Sequence, residues 1–247
     1  MMLAAYVTMW LITSFSVNPY LTPLFVIPIF FALGVFMQWA LVRHVVKGPH
    51  IASLLLLFGV WLVMQNFAYA IWTGNVQSIT TPFTLMAIPL GPIRISFNRL
   101  VVFFVSIITL ILLQQFLTRT YIGKAIRAIS EDADAAKLVG VNTERIMMVA
   151  FGLGTALAGL AGSLMSLIFA FDPDFGHSHL LKSFCIIVLG GMESFVGVAL
   201  GALVLALTES FSILLIKPAM QDFVSFVLLV VVLVVMPNGL IGLIRRR

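Results

Sequence analysis

Long, uninterrupted apolar runs limit most strongly what this sequence can fold into. Residues 21–42, 50–72 and 98–117 are almost free of charged side chains, and each run reaches the roughly 20 residues that an α-helix needs to cross a bilayer's hydrocarbon core. The runs are continuous, so they lack the alternation of polar and apolar residues that is typical of outer-membrane barrel strands. The sequence therefore predicts an all-α, polytopic helical membrane protein.

Composition agrees with this class. Hydrophobic residues make up 62% of the 247 residues and charged residues 9%, whereas a soluble domain carries about a quarter charged residues. The net charge of +5 comes mainly from cations between apolar segments and at the C-terminus. That distribution follows the positive-inside rule and does not indicate a nucleic-acid partner. We expect residues 1–247 to form a single transmembrane domain.

Eight apolar segments are predicted, some of them short or broken. They are residues 1–15, 21–42, 50–72, 98–117, 146–171, 180–191, 197–216 and 221–236. Arg43, Lys47 and Arg245–Arg247 place the loop after the second segment and the C-terminus in the cytoplasm. Eight segments with both termini in the cytoplasm are consistent with that placement.

Residues 121–140 form a polar stretch between two apolar runs. Its apolar residues recur at intervals of three and four, which predicts one amphipathic helix, or two short helices in line. These apolar residues are Ile122, Ile126, Ile129, Ala133 and Ala136. Arg127 and Glu131 are predicted to pair at a separation of four residues. Ser130 is predicted to cap a helix N-terminus, and Gly140 to form a left-handed C-terminal cap. Residues 142–144 (NTE) are predicted to start the next helix.

Two interpretations of this stretch stay open from the pattern alone. A helix too polar to span a bilayer, with an apolar face too small to anchor on one, suits a groove in another protein. The alternative is a solvated helix that merely connects two membrane spans.

Polar residues inside apolar spans are the usual indicators of a transport pathway. The candidates for a translocation path are Gln38, Gln65, Asn66 and Glu209. Glu209 is the only acid well inside an apolar run, so we interpret it either as a coupling or gating site or as a hydrogen-bonding partner between helices.

Small residues four positions apart predict close helix packing, because they let two backbones approach each other. Gly154, Ala158 and Gly162 have this spacing, and Gly197 and Gly201 form a second pair.

Nothing in the sequence predicts an enzyme. His177 and His179 near Asp172 and Asp174 could hold a metal, but an ordinary exposed loop is the preferred interpretation. Gly123-Lys124 lacks the first glycine and the Ser or Thr of a phosphate-binding loop. We therefore predict no catalytic residues, no metal site and no cofactor.

Residues 118–145, TRTYIGKAIRAISEDADAAKLVGVNTER, resemble the cytoplasmic coupling loop of permeases from ABC importers for branched-chain amino acids. The Gly/Ala-rich fifth span, residues 188–194 (VLGGMES) and residues 236–242 (MPNGLIG) extend the resemblance in the same order. It covers residues 100–244 closely and the first hundred only in hydropathy. The chain is most similar to the shorter of the two permease subunits that such importers usually pair.

The resemblance implies a permease that forms half of a translocation pathway for leucine, isoleucine and valine, and that couples to ATPase subunits through residues 121–140. The implied coupling residues are Gly123, Arg127, Ala128, Glu131, Asp132, Ala136 and Gly140. The implied partners are a second permease subunit in a hetero- or homodimer, two cytoplasmic ATPase subunits, a periplasmic or surface substrate-binding protein, and membrane lipid. The implied location is the inner (plasma) membrane, with multiple passes and both termini in the cytoplasm.

Two features depart from the family pattern. Family members usually begin with a further hydrophobic span, so we expect this chain to lack that N-terminal span. Glu193 also occupies a glycine turn where a small residue is more common. The alternatives are a permease of the same family for urea, amides or other amino acids, a gradient-driven secondary transporter that uses Glu209, and a non-transporting membrane anchor.

Overall fold

The computed structural model describes residues 1–45, 50–80, 87–90, 93–191, 195–215 and 221–235. Lys47, Glu193, residues 236–242 and Arg245–Arg247, which the sequence analysis uses, lie outside these ranges.

Helices dominate the described residues. They are α1 (Met2–Phe15), α2 (Thr22–Met37), a π-helical turn (Gln38–Val42), α3 (Arg43–Val45), α4 (His50–Trp72), α5 (Phe97–Arg119), α6 (Tyr121–Glu131), α7 (Ala133–Leu138), α8 (Thr143–Ser166), α9 (Phe175–Gly190), α10 (Phe195–Leu215) and α11 (Gln221–Val235). Within the described ranges, five helical stretches are long and apolar enough to cross a membrane, and three shorter apolar helices accompany them. The eight predicted segments are found in order, which confirms a polytopic helical membrane protein.

The helix boundaries agree with the apolar runs except in the fifth and sixth segments. The sixth was predicted from residue 180, but α9 begins at Phe175. The third span was predicted over the same residues as α4, and the fourth differs from α5 by one or two residues at each end. The fifth was predicted over residues 146–171, but α8 ends at Ser166. Beyond it, Phe171 exchanges two backbone hydrogen bonds with Gln77, at 2.8 and 2.9 Å. Residues 167–169 turn at the end of α8, and the bridge to Gln77 holds Phe171 outside the helix.

Contacts divide the chain into two compact units, Met1–Asp174 and Phe175–Arg247. The single domain predicted over residues 1–247 stays a prediction. In the first unit, α2 packs along α8, and α1 packs against both. A Cβ on Gly162 would lie 2.2 Å from the carbonyl oxygen of Met1, so only glycine allows that approach. Thr8 Oγ1 donates to Ser163 Oγ at 2.8 Å across the same contact.

The packing face of α8 differs from the predicted one. Gly154 and Ala158 are exposed, and a Cβ on Gly154 would have nothing within 4 Å. Gly152 and Gly159 lie against α2 instead, together with Gly162 against α1. An interval of three between Gly159 and Gly162 keeps both on the face that contacts α1 and α2.

In the second unit, α9, α10 and α11 pack pairwise against one another. A Cβ on Gly190 would lie 2.4 Å from the backbone of Gly197, and one on Gly201 would lie 2.9 Å from the Gly190 nitrogen. The predicted pair Gly197 and Gly201 therefore sits where α9 and α10 approach most closely.

The polar loop predicted between the third and fourth spans contains a hairpin that the sequence did not predict. Strands β1 (Ala87–Leu90) and β2 (Ile93–Ser96) are antiparallel, with Ala87 opposite Ser96 and Leu90 opposite Ile93.

Candidate functional site

The polar stretch 121–140 folds as two helices, α6 and α7, and its entry is fixed at Thr120. Thr120 Oγ1 accepts the Gly123 N–H at 3.0 Å and donates to the Phe116 carbonyl at 2.7 Å. A Cβ on Gly123 would lie 2.3 Å from that same carbonyl oxygen. Thr120 and Gly123 together let α6 turn back against the end of α5.

Asp132 separates the two helices. Its Oδ1 accepts the N–H groups of Asp134 at 2.9 Å and Ala135 at 3.0 Å, so it is the N-cap of α7. The predicted cap at Ser130 is wrong, because the Ser130 hydroxyl donates backward to the Arg127 carbonyl inside α6. The alternative of two short helices in line, rather than one, is the arrangement found.

The exit from α7 follows the predicted glycine cap. Gly140 has φ +85°, and its N–H donates to the Lys137 carbonyl while that of Val141 donates to the Ala136 carbonyl. These two bonds are the Schellman arrangement that ends a helix. Asn142 then caps α8 by accepting the Arg145 N–H at 3.1 Å, as its sequence predicted.

The coupling residues that the resemblance implies fall into a buried group and a more exposed group. Gly123 and Ala136 are buried inside the chain, Ala136 with 4% exposure, and α7 contacts α8 on that side. Arg127 and Glu131 are exposed, and Ala128 is half-buried. The shape of the loop thus depends on the first group, together with Asp132 and Gly140, while Arg127 and Glu131 face outward.

The most exposed apolar groups of the loop were not predicted. Leu138 is 90% exposed and Val139 is 79% exposed, next to the exposed Lys137. A sequence signal existed, since Leu138 and Val139 interrupt an otherwise small and polar segment just before the Gly140 cap. We call Arg127, Glu131, Lys137, Leu138 and Val139 the loop surface.

Ion pairs at the loop differ from the predicted one. Among the described residues, Lys137 Nζ contacts Asp134 at 2.8 Å and Arg43 Nη1 contacts Glu144 at 3.6 Å, whereas the predicted Arg127–Glu131 pair is not formed. The Lys137 ammonium, by donating to Asp134, holds the pKa of that carboxyl below its usual value. This pair therefore stabilises α7 at neutral pH and loses its contribution in acid, as Asp134 becomes protonated.

The three translocation-path candidates of the first unit, Gln38, Gln65 and Asn66, have different exposure and different hydrogen-bond partners. Gln38 is 5% exposed and begins the π-helical turn, an irregularity often found at functional positions. Gln65 donates its amide to Asp174 Oδ1, whose other oxygen accepts from Tyr69 at 3.4 Å. Asn66 is exposed and donates to the Leu62 carbonyl of its own helix.

Glu209 lies in a three-helix polar network of the second unit. Lys182 Nζ from α9 lies 3.1 Å from Glu209 Oε1 and 3.2 Å from Oε2, and Ser225 Oγ from α11 donates to Oε1 at 2.6 Å. The side chains of Lys182 and Glu209 are 26% and 15% exposed. Lys182 and Ser225 were missed in the sequence analysis, although Lys182 is the one basic residue of its apolar run.

Metal binding has no structural support in the part of the chain that the structure describes, where no three His, Cys, Asp or Glu side chains come together. His177 and His179 lie at the start of α9.

Comparison with known proteins places these helices in a family. The family described as branched-chain amino acid transport system / permease component matches residues 1–233. The chain belongs to this permease family. Its helices are therefore those of a membrane transport permease, and α6 and α7 are a loop of that permease.

Curated relatives are similar to between 58% and 98% of the chain. The Escherichia coli K12 high-affinity branched-chain amino acid permease LivH is 36% identical over 143 residues, which are 58% of this chain and 46% of LivH. Pseudomonas aeruginosa BraD, described likewise, is 28% identical over 98% of this chain and 75% of BraD. The autoinducer 2 import permease LsrC of Escherichia coli O9:H4 is 29% identical over 66% of this chain and 49% of LsrC. No solved structure matches the chain.

Proposed function

We propose that this permease is the transmembrane subunit of an ATP-driven ABC importer for branched-chain amino acids. It lies in the inner (plasma) membrane with both termini in the cytoplasm, and a second permease subunit completes its pathway. A periplasmic or surface binding protein delivers substrate, and two ATPase subunits supply the energy. The names of LivH and BraD support the substrate class.

The exposed loop surface is the observation that best supports an ATPase partner. Its apolar tip, Leu138 and Val139, is exposed on a helix that is too short and polar to enter a bilayer. Lys137 precedes that tip directly, and Arg127 and Glu131 are exposed on the neighbouring helix α6. An exposed apolar pair in a loop that also exposes charges of both signs is the composition of a protein docking site rather than of a solvated linker.

The contacts of the loop suggest how docking would move the spans. α6 packs against α5 and α8, and α7 packs against α8. The Arg43–Glu144 pair joins the start of α8 to α3, which follows α2 through the π-helical turn. Closure of the ATPase subunits would therefore push α6 and α7 against the ends of α5 and α8. The Arg43–Glu144 pair would pass the movement of α8 to the span that contains α2, and the tilt would open the pathway alternately to each side.

A gradient-driven transporter that uses Glu209 is the second candidate, because Glu209 is an acid inside an apolar helix. The structure pairs its carboxylate with the Lys182 ammonium at 3.1 Å and the Ser225 hydroxyl at 2.6 Å. The two candidates therefore differ in the energy source of uptake, which the following experiment measures.

The experiment that tests the function is uptake of labelled leucine by cells with and without the chain, with its partner subunits present. An uncoupler collapses the ion gradient while ATP is maintained. We expect chain-dependent uptake to survive the uncoupler. Uptake that stops with the gradient would identify a secondary transporter. If the chain imports another solute and leucine does not compete with it, the mechanism stands and the substrate assignment is wrong. The similarity to the autoinducer 2 permease LsrC makes this outcome a real alternative.

A further inference from the structure

The Lys182–Glu209–Ser225 network is an unusual group to find inside apolar helices. A charge near the middle of a bilayer is costly, so ionisable residues in spans are rare and usually face a partner or a pathway. This network supplies one cation, one anion and one hydroxyl at a single point, and neither the loop surface nor its ATPase partner involves it.

All three side chains lie at a similar depth. Counted along their helices, Lys182 is about 10 Å from the start of α9, Glu209 about 9 Å from the end of α10, and Ser225 about 6 Å from the start of α11. The predicted topology puts these three helix ends on the outer side, where a binding protein would release substrate.

A small hollow adjoins the network. It has a volume of about 10 Å³ and is lined by Leu181, Lys182, Cys185, Ser225 and Phe226, which is room for about one water molecule. Apart from Lys182 and Ser225, its walls are apolar. The ion pair beside it is partly accessible rather than sealed, with 26% and 15% of the two side chains exposed.

These features match the chemistry of a zwitterion with an aliphatic side chain. Resting on the proposed function, we propose that Lys182 and Glu209 exchange partners with the substrate, an α-amino acid. The substrate ammonium replaces the Lys182 ammonium at the Glu209 carboxylate, and the substrate carboxylate takes the place of Glu209 at Lys182, with Ser225 donating. The aliphatic side chain lies against the apolar lining of the hollow, so substrate binding requires α9 and α11 to separate beyond the observed volume of about 10 Å³.

Partner exchange explains why a permease could keep such a pair. One internal ion pair is traded for two with the substrate, so both charges stay compensated in either state. The binding is weak for the same reason, because the substrate competes with a pair that is already formed. Weak binding is what a translocation path requires, since the solute must also leave.

The test must separate this role from a pair that merely joins helices. Single neutral variants leave one charge uncompensated and would fail under either role. The double variant Lys182→Met/Glu209→Gln removes both charges together, so neither is left without its partner. Thr208→Val is the matched control, because the Thr208 hydroxyl donates only to the Val204 carbonyl of its own helix.

Uptake is measured in the assembled transporter at equal membrane abundance, together with protection of the purified complex from heating by millimolar leucine. We expect the double variant to insert normally and its rate of leucine uptake to fall at least tenfold. Leucine should no longer protect the purified complex from heating. Thr208→Val should keep both. A double variant that transports like the parent, or that keeps leucine protection, would overturn the proposal.

A second variant serves if the double variant does not insert. Glu209→Asp keeps the carboxylate and shortens the side chain by one methylene, so we expect weaker binding of the substrate ammonium. We expect a several-fold higher KM for leucine with abundance and Vmax near those of the parent, and an unchanged KM would contradict the exchange. A parent that imports no leucine at all would instead refute the proposed function, so the two failures are distinct.

Discussion

Asp132 lies between α6 and α7, and the contribution of its side chain as the N-cap of α7 can be measured. Its carboxylate accepts two N–H groups of α7 that would otherwise lack a partner. Replacing such a cap with alanine costs about 1 kcal/mol, which is about a fivefold change in an opening equilibrium. We expect Asp132→Ala to speed amide hydrogen exchange in residues 134–139 by about that factor. Asp132→Asn, also a good cap, should exchange nearly like the parent, and equal exchange in all three would contradict the cap.

Local chemistry decides which single residues the sequence could identify. Gly140 and Asn142 were predicted because a left-handed cap and an N-cap depend on their own side chains and near neighbours. Ser130 was a wrong choice because Asp132, two residues later, competes for the same role. Ala136 and Leu138 could not be distinguished as buried and exposed, since that difference comes from contact between α7 and α8.

At the scale of elements, α6 and α7 present a surface that can be altered without altering the fold. We expect Leu138→Glu to abolish uptake while membrane abundance stays at the parent level, because a 90% exposed side chain supports no internal packing. Leu138→Met keeps the apolar anchor and should retain most uptake. Co-purification of the ATPase subunits with each variant measures docking directly. If Leu138→Glu still retains the ATPase and transports normally, docking does not involve this tip.

Ala136→Arg is the contrasting variant. Ala136 is 4% exposed, so an arginine there forces α7 away from α8 and should lower abundance as well as uptake.

The apolar runs sufficed to predict the order of the apolar helices in the described residues, because a long apolar run in a bilayer satisfies its backbone as a helix. They did not predict the end of α8 or the hairpin of β1 and β2, since both depend on backbone pairing between separate segments.

At the scale of the whole molecule, every functional proposal depends on which side of the membrane each loop occupies. α4 and α5 each have 23 residues, about 35 Å of helix and enough to cross a bilayer. The exposed residue Asn75 therefore lies on the opposite side from the end of α2 and from α6. Because Lys and Arg are concentrated in α3, α6 and α7, we expect that side to be the cytoplasm.

A membrane-impermeant maleimide tests this orientation in intact cells that express the chain without its ATPase. The parent has one cysteine, Cys185, which is 2% exposed, so it should stay unlabelled. We expect Asn75→Cys to react from outside, and Ser130→Cys to react only after permeabilisation. Labelling both in denaturant controls for the reactivity of each thiol. The reverse pattern would put α6 and α7 outside the cell, where no ATP-driven partner could reach the loop surface, and would overturn the proposed docking site.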